Sequence, residues 1–240
     1  MRNRIPRYEV LAGGYQMILS HQYKFIFFCN GKTGTTSIES ALEPFQEGGE
    51  FDIGVRGLFV PKHVPPAILR ACLPSAVWDG YFKFVFVRNP WDWFVSQWKY
   101  NASRPSFSRM RGTSPRQRLL RRAKKLFRPQ PEPERAFTAN DVDLLFEYLK
   151  QFRGLPGKEG LYQSNYVYDS DGTQLVDYLG RFETLVEDVD RIRKRIGLDV
   201  PLPHLNRTER GDYRAYFTAE GRQRLAKLWA VDVENFDYSF

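Results

Sequence analysis

Lys32-Thr33-Gly34-Thr35-Thr36-Ser37 follows directly on the apolar run Phe25-Ile26-Phe27-Phe28-Cys29. These residue types in this order predict a buried strand that runs into a small, hydroxyl-rich turn opening a helix. Such a turn cradles an anion, because backbone N–H groups and the positive end of the helix dipole point into it. Lys32 adds a point charge, and Thr35, Thr36 and Ser37 add hydroxyl donors. A phosphate or sulfate group fits this chemistry. A second segment has the same design: the apolar run Phe82-Lys83-Phe84-Val85-Phe86-Val87 ends at Arg88, and Ser96 lies eight residues further on. Pro90 suits a first helical turn, so Arg88 at the strand end and Ser96 on the helix can face one point. There they would hold a second phosphate, Arg88 through a bidentate charge-assisted pair and Ser96 through its hydroxyl.

Gly31-Lys32-Thr33 matches the end of the nucleoside-triphosphate loop Gly-x-x-x-x-Gly-Lys-Ser/Thr, but Ile26 stands where its first glycine belongs. The remaining short turn resembles the 5′-phosphosulfate loop of sulfotransferases that use 3′-phosphoadenosine 5′-phosphosulfate (PAPS). Arg88 and Ser96 are similar to the 3′-phosphate site of the same enzymes. Ser20-His21, Lys62-His63, Trp78-Asp79-Gly80-Tyr81-Phe82-Lys83, Gly180-Arg181-Phe182-Glu183 and Pro203-His204-Leu205-Asn206-Arg207 resemble the carbohydrate-type members, in particular compact bacterial ones. The tail segments Asp212 to Phe217 and Asn235 to Phe240 resemble the same group. The resemblance covers about four fifths of the chain. It implies an α/β fold, a P-loop-like parallel sheet flanked by helices, with PAPS as sulfuryl donor and 3′-phosphoadenosine 5′-phosphate (PAP) as product. The implied nucleotide site comprises Lys32, Thr33, Gly34, Thr35, Thr36, Ser37, Arg88 and Ser96, with Asn206 and Arg207 in a loop over the nucleotide.

Sulfonate transfer needs an acceptor hydroxyl deprotonated as it attacks sulfur, a stabilised bridging oxygen on the leaving nucleotide, and both held in line. Lys32 is the candidate for the bridging oxygen. For the general base there are three histidines, His21, His63 and His204. His63 is the choice, since it follows Lys62 between the two phosphate segments, a position similar to the catalytic histidine of glycan O-sulfotransferases. His21 precedes the first strand, at the wrong end of the sheet. His204 belongs with the loop over the nucleotide, and Glu39 and Asp52 are fallback carboxylates. The chemistry requires no metal, and no His/Cys/Asp/Glu cluster at ligand spacing offers one.

The positioning elements read as strands near Tyr23 to Cys29, Phe82 to Val87 and Val176 to Glu183. Helices are predicted at Thr35 to Leu42, Pro65 to Ala71, Trp91 to Tyr100, Asn140 to Phe152, Leu185 to Ile196 and Thr218 to Val231. Asn140 and Thr218 suit N-caps, and Gly197 suits a helix stop. Strands separated by long helical stretches predict a parallel sheet covered on both faces, with ligands at the carboxyl ends. The 240 residues, 42% hydrophobic and 15% aromatic, suit one domain over 1–240.

The net charge of +8 is local. Between Arg104 and Arg135 there are eleven Lys/Arg and two Asp/Glu, so the rest of the chain is near −1. This argues against a nucleic-acid binder and predicts a basic insertion or mobile arm at 102–136. It would serve as a solvated loop, a clamp for an acidic glycan or, least of all, a membrane-surface contact. No stretch reaches the ~20 apolar residues of a bilayer span, and no signal-like region follows the start. Cys29 and Cys72 read as buried thiols, so a cytoplasmic setting is expected.

Two rival functions remain: a nucleoside or sugar kinase, disfavoured by the missing glycine, and a non-catalytic polyanion binder working through the arm. The structural alternatives are an Arg88 pair with Asp92 or Glu183, an internal Arg181–Glu183 pair, and a packing role for Trp91, Trp93 and Trp98.

Overall fold

The computed structural model describes residues 17–46, 62–102, 104–112, 136–151, 161–199, 201 and 211–240. Asp52, His204, Asn206, Arg207 and the arm from 113 to 135 lie outside the described residues. Four strands, β1 (Ile18–Ser20), β2 (Phe25–Phe28), β3 (Phe82–Val87) and β4 (Tyr178–Arg181), form one sheet in the order β1-β2-β3-β4. β2, β3 and β4 run parallel, pairing Phe25 with Phe82 and Phe84 with Tyr178. The expected parallel sheet is thus present, and β1 adds an antiparallel edge to it, which makes the sheet mixed. β2 starts later than Tyr23 because residues 21–24 form the turn from β1, closed by Lys24 in the left-handed region at φ 51°. β4 ends at Arg181 because Phe182–Thr184 winds into a 3₁₀ turn.

Side chains alternate across a strand, so a sheet buried on both faces must be apolar at successive positions. Phe25, Phe27, Phe84 and Phe86 face α1 (Thr35–Leu42) and α7 (Leu185–Ile196), packing on Ile38, Leu42, Val189 and Ile192. Ile26, Phe28, Val85 and Val87 face the other way, against Leu69 of α2 (Pro66–Cys72) and Trp78 of α3 (Ser75–Gly80). A third core is helical: Trp91, Trp93, Phe94 and Trp98 of α4 (Pro90–Asn101) pack with Phe107 of α5 (Pro105–Met110), Leu145 and Tyr148 of α6 (Ala139–Lys150) and Leu225 of α8 (Ala219–Leu228). The three tryptophans are buried, as expected of packing residues. The basic arm therefore begins in packed structure, since Phe107 is fully buried between Trp98 and Tyr148.

Helix ends follow their capping chemistry. Thr138, not Asn140, caps α6: its hydroxyl accepts from the Asp141 N–H at 3.4 Å while the Asp141 carboxylate takes the Thr138 N–H at 3.0 Å. Asn140 already lies inside the helix. Thr218 caps α8 by accepting from the Gly221 N–H at 3.0 Å, and Gly197 ends α7 at φ 71°. The helix expected over 218–231 breaks at Trp229, after which α9 (Ala230–Asn235) resumes. Cys29 is buried, whereas Cys72, at the end of α2, is exposed; both are free thiols. Among the described residues no helix is long and apolar enough to cross a membrane.

Candidate active site

The β2–β3 ladder ends at the pair Phe28 and Val85, and both segments expected to bind anions begin beyond it. The turn after β2 is held by its carbonyl oxygens. Thr33 Oγ1 donates to Asn30 O at 2.7 Å, Trp93 Nε1 to Gly31 O at 2.9 Å and Arg88 Nη1 to Lys32 O at 2.9 Å. Lys32 at φ 68° and Gly34 at φ 83° lie in the left-handed region, with Thr33 between them outside it. Such alternation curls successive N–H groups toward one point and forms an anion-binding nest. Among the described residues, the N–H groups of Thr33, Gly34, Thr35 and Thr36 meet no protein acceptor, as the first turn of a helix dictates. Gly34 is doubly required, because a Cβ there would also sit 3.0 Å from the Leu185 side chain. Thr33 is fully buried and its hydroxyl is spent on Asn30, so what it offers a ligand is its N–H; Thr36 is exposed. The residues present suit the phosphosulfate end of a nucleotide.

Arg88 directly follows β3 and is 5% exposed. Its Nε and Nη2 donate to Asp92 Oδ2 at 2.8 and 2.7 Å, Nη1 reaches Lys32 O, and its face lies 3.9 Å from the centre of the Phe182 ring. Burial lowers the Arg88 pKa and raises that of Asp92, and each partner opposes the shift of the other. Among the described residues, three of the five guanidinium N–H groups are thereby used. Of the two alternative partners for Arg88, Asp92 is the one it pairs with. Glu183 instead accepts from Asn89 N at 2.7 Å and from the Tyr238 hydroxyl at 2.9 Å. The expected Arg181–Glu183 pair is not made, because Arg181 Nη2 donates to Phe236 O at 2.7 Å and the guanidinium stacks on Tyr238.

Three residues of α4 share a stripe along this loop. Trp93 binds Gly31 O, and the Tyr100 ring, seven residues on, lies 4.5 Å from Lys32 Nζ. Ser96, half-buried, sits between them at helical spacing and so faces the loop as well. Tyr100 also accepts from Arg104 Nη2 at 2.5 Å, so a row of cations runs from Lys32 toward the basic arm.

His63 comes to the same place. Its Nδ1 lies 2.8 Å from Cys29 O, at the root of the phosphate turn. A carbonyl oxygen only accepts, so Nδ1 carries a proton and in the neutral ring the basic lone pair is on Nε2. Lys62, beside it, pairs with Glu39 of α1 at 2.6 Å, tying the histidine loop to the helix that opens the nest. Burial, and after it the Glu39 carboxylate, pushes the Cys29 thiol well above its ordinary pKa, with Lys62 opposing. His21 sits elsewhere: its Nδ1 meets the Tyr81 hydroxyl at 2.5 Å, at the amino ends of the strands.

Several positioning residues escape sequence reasoning. Gln163, in a 3₁₀ turn over Gln163–Tyr166, binds both main-chain groups of Arg88 and the Asn30 side chain. Asp232 of α9, fully buried, accepts from Gln163 N, Ser164 N and Ser164 Oγ at 2.7 to 2.9 Å. Only the indole of Trp93 carries a readable signal, since a buried tryptophan seeks an acceptor for its N–H. Among the described residues no group of acidic, histidine or cysteine side chains stands at metal-binding distance.

No curated protein and no solved structure shows a significant match to the chain. A family profile, described as the sulfotransferase family, matches residues 15–239. That span contains the nest after β2, Arg88 at the tip of β3 and His63 between them, and the chain belongs to the sulfotransferase family, as a PAPS-dependent enzyme.

Proposed function

We propose that the chain transfers the sulfuryl group of PAPS to a hydroxyl of a carbohydrate or related acceptor, with His63 as general base and Lys32 as the electrostatic catalyst. The observation that carries this reading is the 2.8 Å contact of His63 Nδ1 with Cys29 O, three residues before Lys32, with Nε2 left as the basic nitrogen. His63 Nε2 takes the acceptor proton as the acceptor oxygen bonds to sulfur. The bond from sulfur to the bridging phosphate oxygen breaks, and Lys32 stabilises the electron pair that stays on that oxygen. The N–H groups of Thr33, Gly34, Thr35 and Thr36, with the side chains of Thr35, Thr36 and Ser37, hold the 5′ end. Arg88 and Ser96 hold the 3′-phosphate, supported by the Arg88 guanidinium beside Lys32 O and by the α4 stripe. Asn206 and Arg207 complete the site in this reading.

The acceptor is proposed to be acidic. Support comes from the net +9 between Arg104 and Arg135 and from Arg104 resting on Tyr100, which in turn rests on Lys32. The reading keeps one domain with a basic insertion at 102–136, in a reducing, cytoplasmic setting suited to two free thiols. Isothermal titration with PAP and with ATP tests the nucleotide site. PAP should give saturable heat and ATP little, and the reverse would overturn the assignment. A screen of acidic and neutral glycans with sulfur-labelled PAPS then tests the acceptor: labelling confined to apolar alcohols would overturn the carbohydrate reading, and labelling of neutral glycans alone the acidic one.

A further inference from the structure

Resting on the reading of the two loops as ends of one nucleotide site, we propose that Gln163 fixes the spacing between them and thereby sets the preference for a doubly phosphorylated nucleotide. The last ladder pair between β2 and β3 is Phe28 with Val85, so the sheet itself does not hold the two tips together beyond that point. Asn30 and Arg88 lie past it. Asn30 reaches across with its side-chain amide to Phe86 O at 2.9 Å, and Gln163 closes the remaining gap. Its Oε1 accepts from Arg88 N at 2.9 Å and from Asn30 Nδ2 at 3.3 Å, while its Nε2 donates to Arg88 O at 2.8 Å. One side-chain amide thus pairs with both main-chain groups of Arg88, the residue that follows β3, as a neighbouring strand would, and with the side chain of Asn30, two residues past β2.

The bridge is anchored and dry. Gln163 is 1% exposed, and its N–H is held by Asp232 Oδ2 at 2.9 Å, so the side chain is presented from α9 and not from either loop. Phosphate groups at the two ends of a nucleotide are a fixed distance apart. Two anion sites at that separation act on one ligand with a high effective concentration, and sites allowed to drift lose that gain while each still binds its own phosphate. Gln163 touches neither phosphate loop's ligand-facing groups, and it is a positioning residue acting through Asn30 and Arg88.

The test compares calorimetric affinities for PAP, adenosine 5′-phosphate and adenosine 3′-phosphate in the wild type and in Gln163→Met, which keeps length and volume but removes the amide. The expected result is that each monophosphate stays within about threefold of its wild-type affinity, while the advantage of PAP over both falls about tenfold or more. A retained advantage overturns the proposal, as does an equal loss for all three ligands, which marks general damage. Where Gln163→Met fails to fold by circular dichroism, Asn30→Ser cuts the same bridge from the other end and is read by the same criteria. Failure of both variants to fold also overturns the proposal, because the bridge would then serve the fold and not the spacing. No PAP binding by the wild type would instead sink the reading of the nucleotide site, and this inference with it.

Discussion

The guanidinium of Arg88 donates to the main-chain carbonyl of Lys32 at 2.9 Å. The residue proposed for one end of the nucleotide thus helps hold Lys32, proposed for the other end, in its left-handed backbone conformation. Arg88→Ala should therefore do two things at once. It leaves Asp92 buried without its cation, a change that costs about 3–5 kcal/mol when a buried ion pair is broken from one side. It should also weaken PAP far more than adenosine 5′-phosphate, as measured by calorimetry on protein shown to be folded. Equal losses for the two ligands would remove Arg88 from the 3′-phosphate site. Asp92→Asn should lower stability in chemical denaturation while leaving that ligand ratio nearly unchanged.

Lys32→Ala should lower kcat by about 10²- to 10³-fold, the range seen when one preorganised oxyanion donor is removed. The melting temperature should hold, because the ammonium rests on the half-exposed ring of Tyr100. Steady-state assays with labelled donor decide it, and full turnover by this variant would end the role given to Lys32.

His63→Ala should reduce turnover by about 10²- to 10⁴-fold, the usual contribution of a positioned base. PAP affinity should change little, since the ring meets the turn at the main-chain oxygen of Cys29. Unchanged turnover would move the base elsewhere, and Glu39, paired with Lys62 at the same corner, is the next residue to substitute.

Much of this site is legible in the sequence because its signals are local. Thr35–Leu42 and Leu185–Ile196 are bounded by a glycine-containing turn and by Gly197, and both helices run over the expected residues. The two segments proposed to hold phosphates are marked by a charged or hydroxyl-rich turn after an apolar run. Gln163 has no such signature. It stands in Leu161-Tyr162-Gln163-Ser164-Asn165-Tyr166, which has neither helical nor strand periodicity, and its role arises only when Arg88 and Asp232, each about 70 residues away, close on it. The edge strand β1 is hidden for a related reason: three residues are too short to show alternation. The Arg181–Glu183 pairing fails because Arg181 is taken by Phe236 O, while Glu183 is taken by the Asn89 N–H and the Tyr238 hydroxyl.

Asp232 predicts a pH signature. Burial pushes its carboxyl up to about 6 from the ordinary 3.8, with the three donors from Gln163 and Ser164 opposing. Between those pH values the folded state holds a proton that the unfolded state has lost, so stability falls as pH rises from about 4 to about 6 and then levels off. At about 1.4 kcal/mol per pH unit, the full effect is about 3 kcal/mol. Asp232→Asn should flatten that slope in denaturation curves taken across the window. An unchanged slope would assign it to another group.

Residues 236–240 lie across the strand tips. Phe236 O receives Arg181, the Tyr238 hydroxyl holds Glu183, Ser239 O receives the Asn89 side chain, and the Phe240 ring packs edge-on against Trp91. Arg88 has Asn89 as its immediate neighbour, so the backbone that carries the guanidinium is braced by a segment 150 residues further along the chain. A protease that nicked the polypeptide after Asn235 would release the braces on Arg181, Glu183 and Asn89 in one cut.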